Sequence, residues 1–370
     1  MKIHTKGAVA LCLAAGSVQA GALDRTGQSV DVLFENGRYV EFSLGYISPD
    51  VTGESINPIG SFPAGGQSGD IGLSNFNFGG AYKADLNETW SYALIFDQPF
   101  KAEVEYPDGT GYFAESSNAE FTSYALTALL QYNMQSGLSI YGGPRFQATD
   151  ASARIGFVNG YEVETSRDWG IGYVAGIAFE KPEIALRVSL TYSSEVSHSN
   201  DVTETFLNGA VTTPASTAEF ETPQSVNLAF QTGIAEDTLL FGSVRWVDWS
   251  DFELSPDQYI GAVGQPILSY VEDTVTYRIG IGRRLNDTWS VAASIGYEKN
   301  TGNLFTNLGP ADGGESINLA AIYTQGKMKI TTGIRYLRIG DTTTAVQGNP
   351  ASAFNNNDAI ALGVKVGYSF

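Results

Sequence analysis

Hydrophobic residues recur at every second position in many segments of this chain. At its end, Ile360, Leu362, Val364, Val366, Tyr368 and Phe370 alternate with Ala361, Gly363, Lys365, Gly367 and Ser369. The same period runs through Ile184, Leu186, Val188, Leu190 and Tyr192, through Val275, Tyr277, Ile279 and Ile281, and through Trp289, Val291, Ala293, Ile295 and Tyr297. A strand sends successive side chains to opposite faces, so each segment separates an apolar environment from a small or polar one. About 10 tilted strand residues cross a bilayer. The pattern predicts fourteen strands, near 39–48, 73–84, 89–97, 120–134, 138–148, 168–179, 184–196, 224–234, 238–249, 274–284, 288–299, 315–325, 327–340 and 358–370. Their connections alternate in length. Short turns fall at 85–88, 136–137, 181–182, 236–237 and 286–287, and long loops at about 49–72, 98–119, 149–167, 197–223, 250–273, 300–314 and 341–357. An even strand number with turns on one side and long loops on the other predicts an all-β fold, a transmembrane antiparallel β-barrel.

A soluble β-sandwich also alternates apolar and polar residues. It leaves unexplained the short-long rhythm, the aromatics near strand ends (Trp90, Trp169, Trp249, Trp289) and the terminal Phe370. Interfacial tryptophan and tyrosine form girdles at membrane surfaces. Beyond the N-terminal leader no apolar run approaches 18 residues, so a membrane-spanning reading requires a closed barrel, in which every backbone polar group is satisfied.

The leader itself sets the expected compartment. Lys2 and Lys6 flank the start, residues 7–16 are uncharged and largely apolar, and Val18-Gln19-Ala20 offers small residues for cleavage. This predicts a signal peptide over residues 1–20 and an outer-membrane destination in a bacterial cell. The single cysteine, Cys12, falls within the leader, so the mature fold is expected to stand without disulfides or thiolate metal sites. Loss of Lys2 and Lys6 takes the formal charge from −19 to −21, which argues against a nucleic-acid partner. The expected organisation is a signal peptide (1–20), a short N-terminal luminal hatch (21–38) and the barrel (39–370).

Three stretches carry a resemblance to the FadL/TodX family of outer-membrane transporters for long-chain fatty acids and aromatic hydrocarbons. They are FSLGYISPDVTG (42–53), TPQSVNLAFQTGIAEDTLLFGSVRWVDWSDF (222–252) and YRIGIGRRLNDTWSVAASIGYEK (277–299). The resemblance implies a monomeric fourteen-stranded barrel with an N-terminal hatch folded into the lumen. It further implies passive uptake of a hydrophobic small molecule and release sideways into outer-membrane lipid, away from lipopolysaccharide. The family's hatch commonly carries Asn-Pro-Ala before the first strand, whereas this chain reads GALDRTGQSVDVLFENGR over residues 21–38. The family's hatch-gated pocket is therefore not carried over. A short plug with Leu23, Val30, Val32, Leu33 and Phe34 as its apolar face is the expectation, against a plain lead-in to the first strand.

Lipid-facing positions are apolar by necessity, so the informative residues point inward. Arg187, Arg245, Arg278, Arg335 and Lys365 all fall on the polar phase of their strands. Guanidinium forks bind carboxylates bidentately, which suits an anionic head group. The competing role is to pair with inward acids such as Glu298, Asp31 and Glu35 and so rigidify the lumen. In the long loops, Phe157, Phe206, Leu207, Phe220, Leu254, Tyr259 and Ile260 offer apolar surface for capture, or for packing the loops on one another. Pro99, after the third strand, and Gly142-Gly143-Pro144, within the fifth, predict a wall break or a bulge, because proline removes a ladder donor.

An enzyme is the weaker reading. His198 is the one histidine after residue 20; Ser194, Ser197 and Ser199 crowd it in sequence, and no acid is fixed beside it. No phosphate loop, Cys/His metal cluster or cofactor site is expected. Asp248, Asp251 and Glu253 form an acidic loop cluster, read as solvated charge ahead of a calcium site. The rival function is a general hydrophilic porin with a charged lumen.

Overall fold

The computed structural model describes residues 23–370; the expected signal peptide and its cleavage site lie outside them. Fourteen antiparallel strands form the wall: β1 (Tyr39–Asp50), β2 (Asn75–Asp85), β3 (Trp90–Asp97), β4 (Asn118–Asn133), β5 (Leu138–Ile155), β6 (Asp168–Lys181), β7 (Leu186–Ser193), β8 (Ser225–Ala235), β9 (Thr238–Val247), β10 (Thr274–Arg284), β11 (Trp289–Glu298), β12 (Gly314–Gln325), β13 (Met328–Ile339) and β14 (Asp358–Ser369). Each pairs with its neighbour in sequence, and β1 pairs with β14 from Tyr39↔Ser369 to Asp50↔Asp358, so the barrel is closed. No described helix is long and apolar enough to cross a membrane; the chain crosses with strands.

The two phases of each strand have the predicted fates. On β14, Ile360, Leu362, Val364, Val366 and Tyr368 face outward, while Ala359 and Ala361 are buried. On β7, Val188 and Leu190 face outward, whereas Arg187, Ser189 and Thr191 are buried in the lumen. Exposure of these apolar side chains is what a lipid solvent permits; in water such a continuous band would drive association.

Residues 23–38 lie inside the barrel. A 3-10 turn, Asp31–Phe34, presents Val32 and Leu33, which pack with Val30 on Tyr39, Ala93, Ile95, Leu129, Tyr141 and Val174. Phe34 stands edge-on to Tyr141 with ring centroids 6.1 Å apart. Polar anchors fix the segment. Asp24 pairs with Arg245 at 2.6 Å, Glu35 with Lys329 at 2.6 Å, and Asp31 with Arg187 at 3.7 Å.

At the opposite end the long loops are more ordered than their sequence suggests. The fifth strand continues to Ile155, well past its predicted end at 148. Lys101–Glu105 adds to β4, Tyr161–Thr165 adds to β5, and Val196–Phe206 pairs with Ser216–Thr222 in a hairpin. A seven-residue helix, α1 (Asp257–Val263), sits beside them, and a four-stranded sheet is built from Glu54–Ser55, Leu304–Phe305, Thr342–Val346 and Asn349–Phe354. These pieces enclose one apolar core holding Phe121, Tyr161, Phe220, Trp249, Phe252, Tyr270, Phe305 and Phe354, all buried. Loop strands escaped prediction because they bury one face against other loops, so their alternation mixes with turn residues.

Candidate transport route

The wall is discontinuous at the outer half of β2. Gly80 to Asp85 pair with β3, but Asn75 to Gly79 have only β1 beside them. After Asp97 the chain turns inward: Gln98 and Phe100 are buried, and Lys101 resumes pairing with β4. Proline at 99 has no N–H for β2, and the departing chain takes new partners in the luminal segment. Pro99 O accepts Arg25 N–H at 2.8 Å, Lys101 N–H donates to Leu23 O at 2.9 Å, and Thr26 Oγ1 donates to Asp97 Oδ2 at 2.7 Å. Residues 97–101 have thus exchanged a wall strand for the plug. What they leave on β2 is patched by two side-chain bonds: Gln98 Oε1 accepts Phe78 N–H at 3.0 Å, and Asn77 Nδ2 donates to Gln98 O at 3.3 Å. On the lipid side, Phe78, Phe96 and Tyr124 stack around this gap, with centroids 5.8 to 6.5 Å apart.

Gly142-Gly143-Pro144 makes a different feature. Its ladder to β6 is continuous, while the ladder to β4 skips Ala128 and Leu129 without a change of register. A Cβ added at Gly143 would stand 1.9 Å from Ala128 O, so the two main chains are pressed together. Of the break or bulge expected at Gly142, Gly143 and Pro144, no aperture forms: the glycines permit close approach.

A luminal cavity of about 320 Å³ lies between residues 25–32 and the inner faces of β1, β2, β3 and β7 to β10. Its lining is mixed, with Ser43, Asn77, Asn227 and Gln231 set beside Val32, Ile95, Phe78 and Phe241. Most of the predicted luminal cations are engaged. Arg187 pairs with Asp31, bonds Gln231 Oε1 at 3.3 Å and lies 4.4 Å over the Phe34 ring. Arg245 binds Asp24, Ser225 Oγ and Asn227 Oδ1; Lys365 pairs with Glu41 at 3.3 Å; Arg335 is buried and donates to Asn318. Arg278 lines the cavity with no acidic partner among the described residues. Glu298 accepts from Thr276 at 2.6 Å. Sequence reading missed Asp24, Asp97, Gln98 and Arg145, which pairs with Asp97 at 3.4 Å. Their signal was faint: an Asp-Gln-Pro run breaking an alternating strand, and one acid in an otherwise unremarkable leader-proximal stretch.

The predicted capture residues separate into two groups. Leu207 and Ile260 are exposed, and Phe157 and Phe206 are half-buried against the cap core. Phe220, Leu254 and Tyr259 are buried inside that core, a correction to their expected place on a capture surface: large apolar groups on several loops cover one another. Cavities inside the cap reach only about 20 and 40 Å³. Glu204, wholly buried, ties the cap together by accepting from Tyr161 Oη at 2.8 Å, Ser216 Oγ at 3.2 Å and the Tyr259 N–H at 3.0 Å. Burial pushes the Tyr259 hydroxyl up to about 12, and burial, then the bond to Glu204, raises that of Tyr161. No group of metal-binding residues occurs among the described residues.

Residues 33–370 match the family of outer-membrane transport proteins described as OMPP1/FadL/TodX. The chain belongs to this family. No curated protein matches the sequence. Among solved structures, a Pseudomonas aeruginosa FadL homologue shares 14% identity with a TM-score of 0.74, covering 96% of this chain and 97% of that one. The Ralstonia pickettii toluene transporter TbuX gives 12%, 0.65, 96% and 97%, and the P. putida toluene transporter TodX 14%, 0.62, 91% and 91%. At such identity these likenesses establish the fold. Family membership makes the chain an outer-membrane transport protein.

Proposed function

We propose that this protein is a passive uptake channel for hydrophobic small molecules, of the long-chain fatty-acid or aromatic-hydrocarbon class, and that they leave sideways through the gap beside β2. The observation that carries this reading is the stretch Asn75–Gly79, paired only with β1 and closed on its other side by side-chain bonds instead of a strand. The luminal cavity offers an apolar solute only a mixed lining, interrupted by charges that are mostly paired. The bilayer beside Phe78, Phe96 and Tyr124 is the better solvent. Residues 23–38 act as a hatch that blocks the lumen, and Leu207, Ile260, Phe157 and Phe206 offer the outer capture surface. Arg278 receives the head group of any ligand that carries a carboxylate. The protein acts as a monomer surrounded by lipid and lipopolysaccharide, and carries out no chemical step.

Relatives described as toluene transporters support the substrate class. The test is to fill the gap. Asn77→Trp, measured as hydrocarbon uptake into proteoliposomes, is expected to bring uptake near background while the barrel still shows heat-modifiable gel mobility. Unchanged uptake would overturn lateral release. Residues 23–38, bonded across the lumen, speak against a hydrophilic porin.

A further inference from the structure

Beside its ladder to 161–165 and the Asn200 amide bonds to Thr149 O and Ser166 O, the extracellular hairpin is seated on the barrel rim by a buried side chain that the proposed route leaves unused. His198 pairs with Phe220 across the hairpin, and the two rings stack with centroids 5.5 Å apart. The imidazole's other flank rests on β6, where a Cβ added at Gly170 would lie 3.2 Å from Cε1. Nδ1 is 3.4 Å from Asp168 Oδ2, and Nε2 is 3.4 Å from the Gln147 side-chain amide, which also donates to Thr222 Oγ1 at 2.7 Å. One ring therefore touches both hairpin strands and wall strands β5 and β6. Phe220 passes the contact on to Phe121 and Phe252, each 6.0 Å away.

The surroundings suit a neutral ring. The imidazole is wholly buried, and the charged group set against it is Asp168 on β6. From β5 come Gln147 and Thr149, and from the opposite hairpin strand Phe220 and Thr222, none of them titratable in this range. Of the carboxylates on and beside the hairpin, Glu195, Asp201, Glu219 and Glu221 are exposed, and the buried Glu204 lies farther along, bonded to Tyr161, Ser216 and the Tyr259 N–H. With its proton on Nδ1 toward Asp168, the ring accepts from Gln147 at Nε2. A second proton would set Nε2–H against that amide and leave a cation among aromatic rings.

We infer that His198 is an acid-released latch of the extracellular cap: neutral, it seats the hairpin on β5 and β6; charged, it frees the hairpin root and opens the aromatic core to solutes outside. Desolvation outweighs Asp168 and holds the His198 pKa below the ordinary 6.5. The released hairpin, with its ring in water, binds the proton more readily than the seated one. Seating is thus fully supported above the ordinary histidine range and weakens as pH falls below it. The latch regulates the route proposed above; only its effect on uptake rests on that reading.

The experiment uses the full chain in vesicles with a single introduced cysteine, since Cys12 precedes the barrel. Ala218 is buried in the hairpin and Thr217 beside it is exposed. The ratio of thiol-labelling rates, Ala218→Cys over Thr217→Cys, removes the pH dependence of the thiol itself. Between about pH 7.5 and about pH 5.5, a span that brackets histidine titration, this ratio is expected to rise severalfold. It should stay flat in His198→Phe, which keeps the stack without a proton, and rise more steeply in Asp168→Asn. A flat ratio with His198 present, or an equal rise in His198→Phe, would overturn the latch. If His198→Phe does not insert, His198→Gln takes its place with the same expectations. Hydrocarbon uptake in the same vesicles separates the two claims: acid-dependent labelling with no uptake at any pH keeps the latch and sinks the transport reading.

Discussion

The two ends of this barrel are filled by opposite chemistries. At the outer end, loops from every part of the chain converge on a dry aromatic core in which Trp249, Tyr112 and Phe354 are fully buried. In the lumen, residues 23–38 are held by ion pairs and amide hydrogen bonds, with Asp24–Arg245 and Glu35–Lys329 each 2.6 Å apart. The first region offers an apolar solute an aromatic surrounding, and the second a mixed lining interrupted by paired charges. The difference bears on the proposed route, which runs inward through the cap and out through the wall before the luminal ion pairs are met. The gap beside β2 lies where the two regions touch, because residues 97–101 bond to the luminal segment while Phe100 packs edge-on against Trp249, 5.6 Å between centroids.

The contrast can be broken at either end. The largest effect is expected from Arg245→Ala, which strands the buried Asp24 carboxylate; removing one partner of a buried pair costs about 3–5 kcal/mol. Urea unfolding in detergent should show that loss, and the double variant Asp24→Asn, Arg245→Met should recover most of it. Equal losses in single and double variants would mean the pair does not fix the segment. In the cap, Phe220→Ala removes a buried phenyl, a change worth about 3–5 kcal/mol in well-packed cores. Its effect should stay local, seen as faster protease cleavage within 197–223 with an intact barrel; loss of the whole barrel would show the cap is not a separable unit. A smaller effect is expected from Arg278→Gln, which should lower uptake of a carboxylate-bearing amphiphile by about tenfold, the equivalent of about 1.4 kcal/mol, and leave a neutral hydrocarbon unaffected. Equal loss of both solutes would remove Arg278 from head-group recognition. Smallest, Leu207→Ser with Ile260→Ser should raise the concentration for half-maximal uptake a few-fold without changing its limit.

The wall was legible in the sequence because lipid imposes a rule on every second residue, and Ile360 to Phe370 obeys it with no exception. Inward cations were legible for the same reason: Arg187 and Arg245 sit on the phase that lipid forbids. Their partners were not. Asp24 and Arg245 are separated by 221 positions, and no local pattern announces a contact of that span. Pro99 marked the third strand's departure, but its consequence depends on Leu23 and Arg25 arriving from the N-terminus to take its place beside Phe100. The glycines at 142 and 143 carried the same signal with another outcome, since backbone freedom serves close approach as readily as opening. Loop residues such as Phe220 and Tyr259 looked exposed because each loop alone cannot bury them; only the convergence of several loops does.

The central claim is that solutes leave through the wall while the luminal segment stays in place. Ser225 Oγ lies 3.0 Å from Gln28 Oε1, joining that segment to β8. Gln28→Cys with Ser225→Cys, bridged by a short bifunctional thiol reagent, would hold the segment in the lumen, and hydrocarbon uptake into proteoliposomes would be measured before and after bridging. The account predicts unchanged uptake. Uptake that stops on bridging and returns on cleavage of the linker would contradict it, placing the route through the lumen instead.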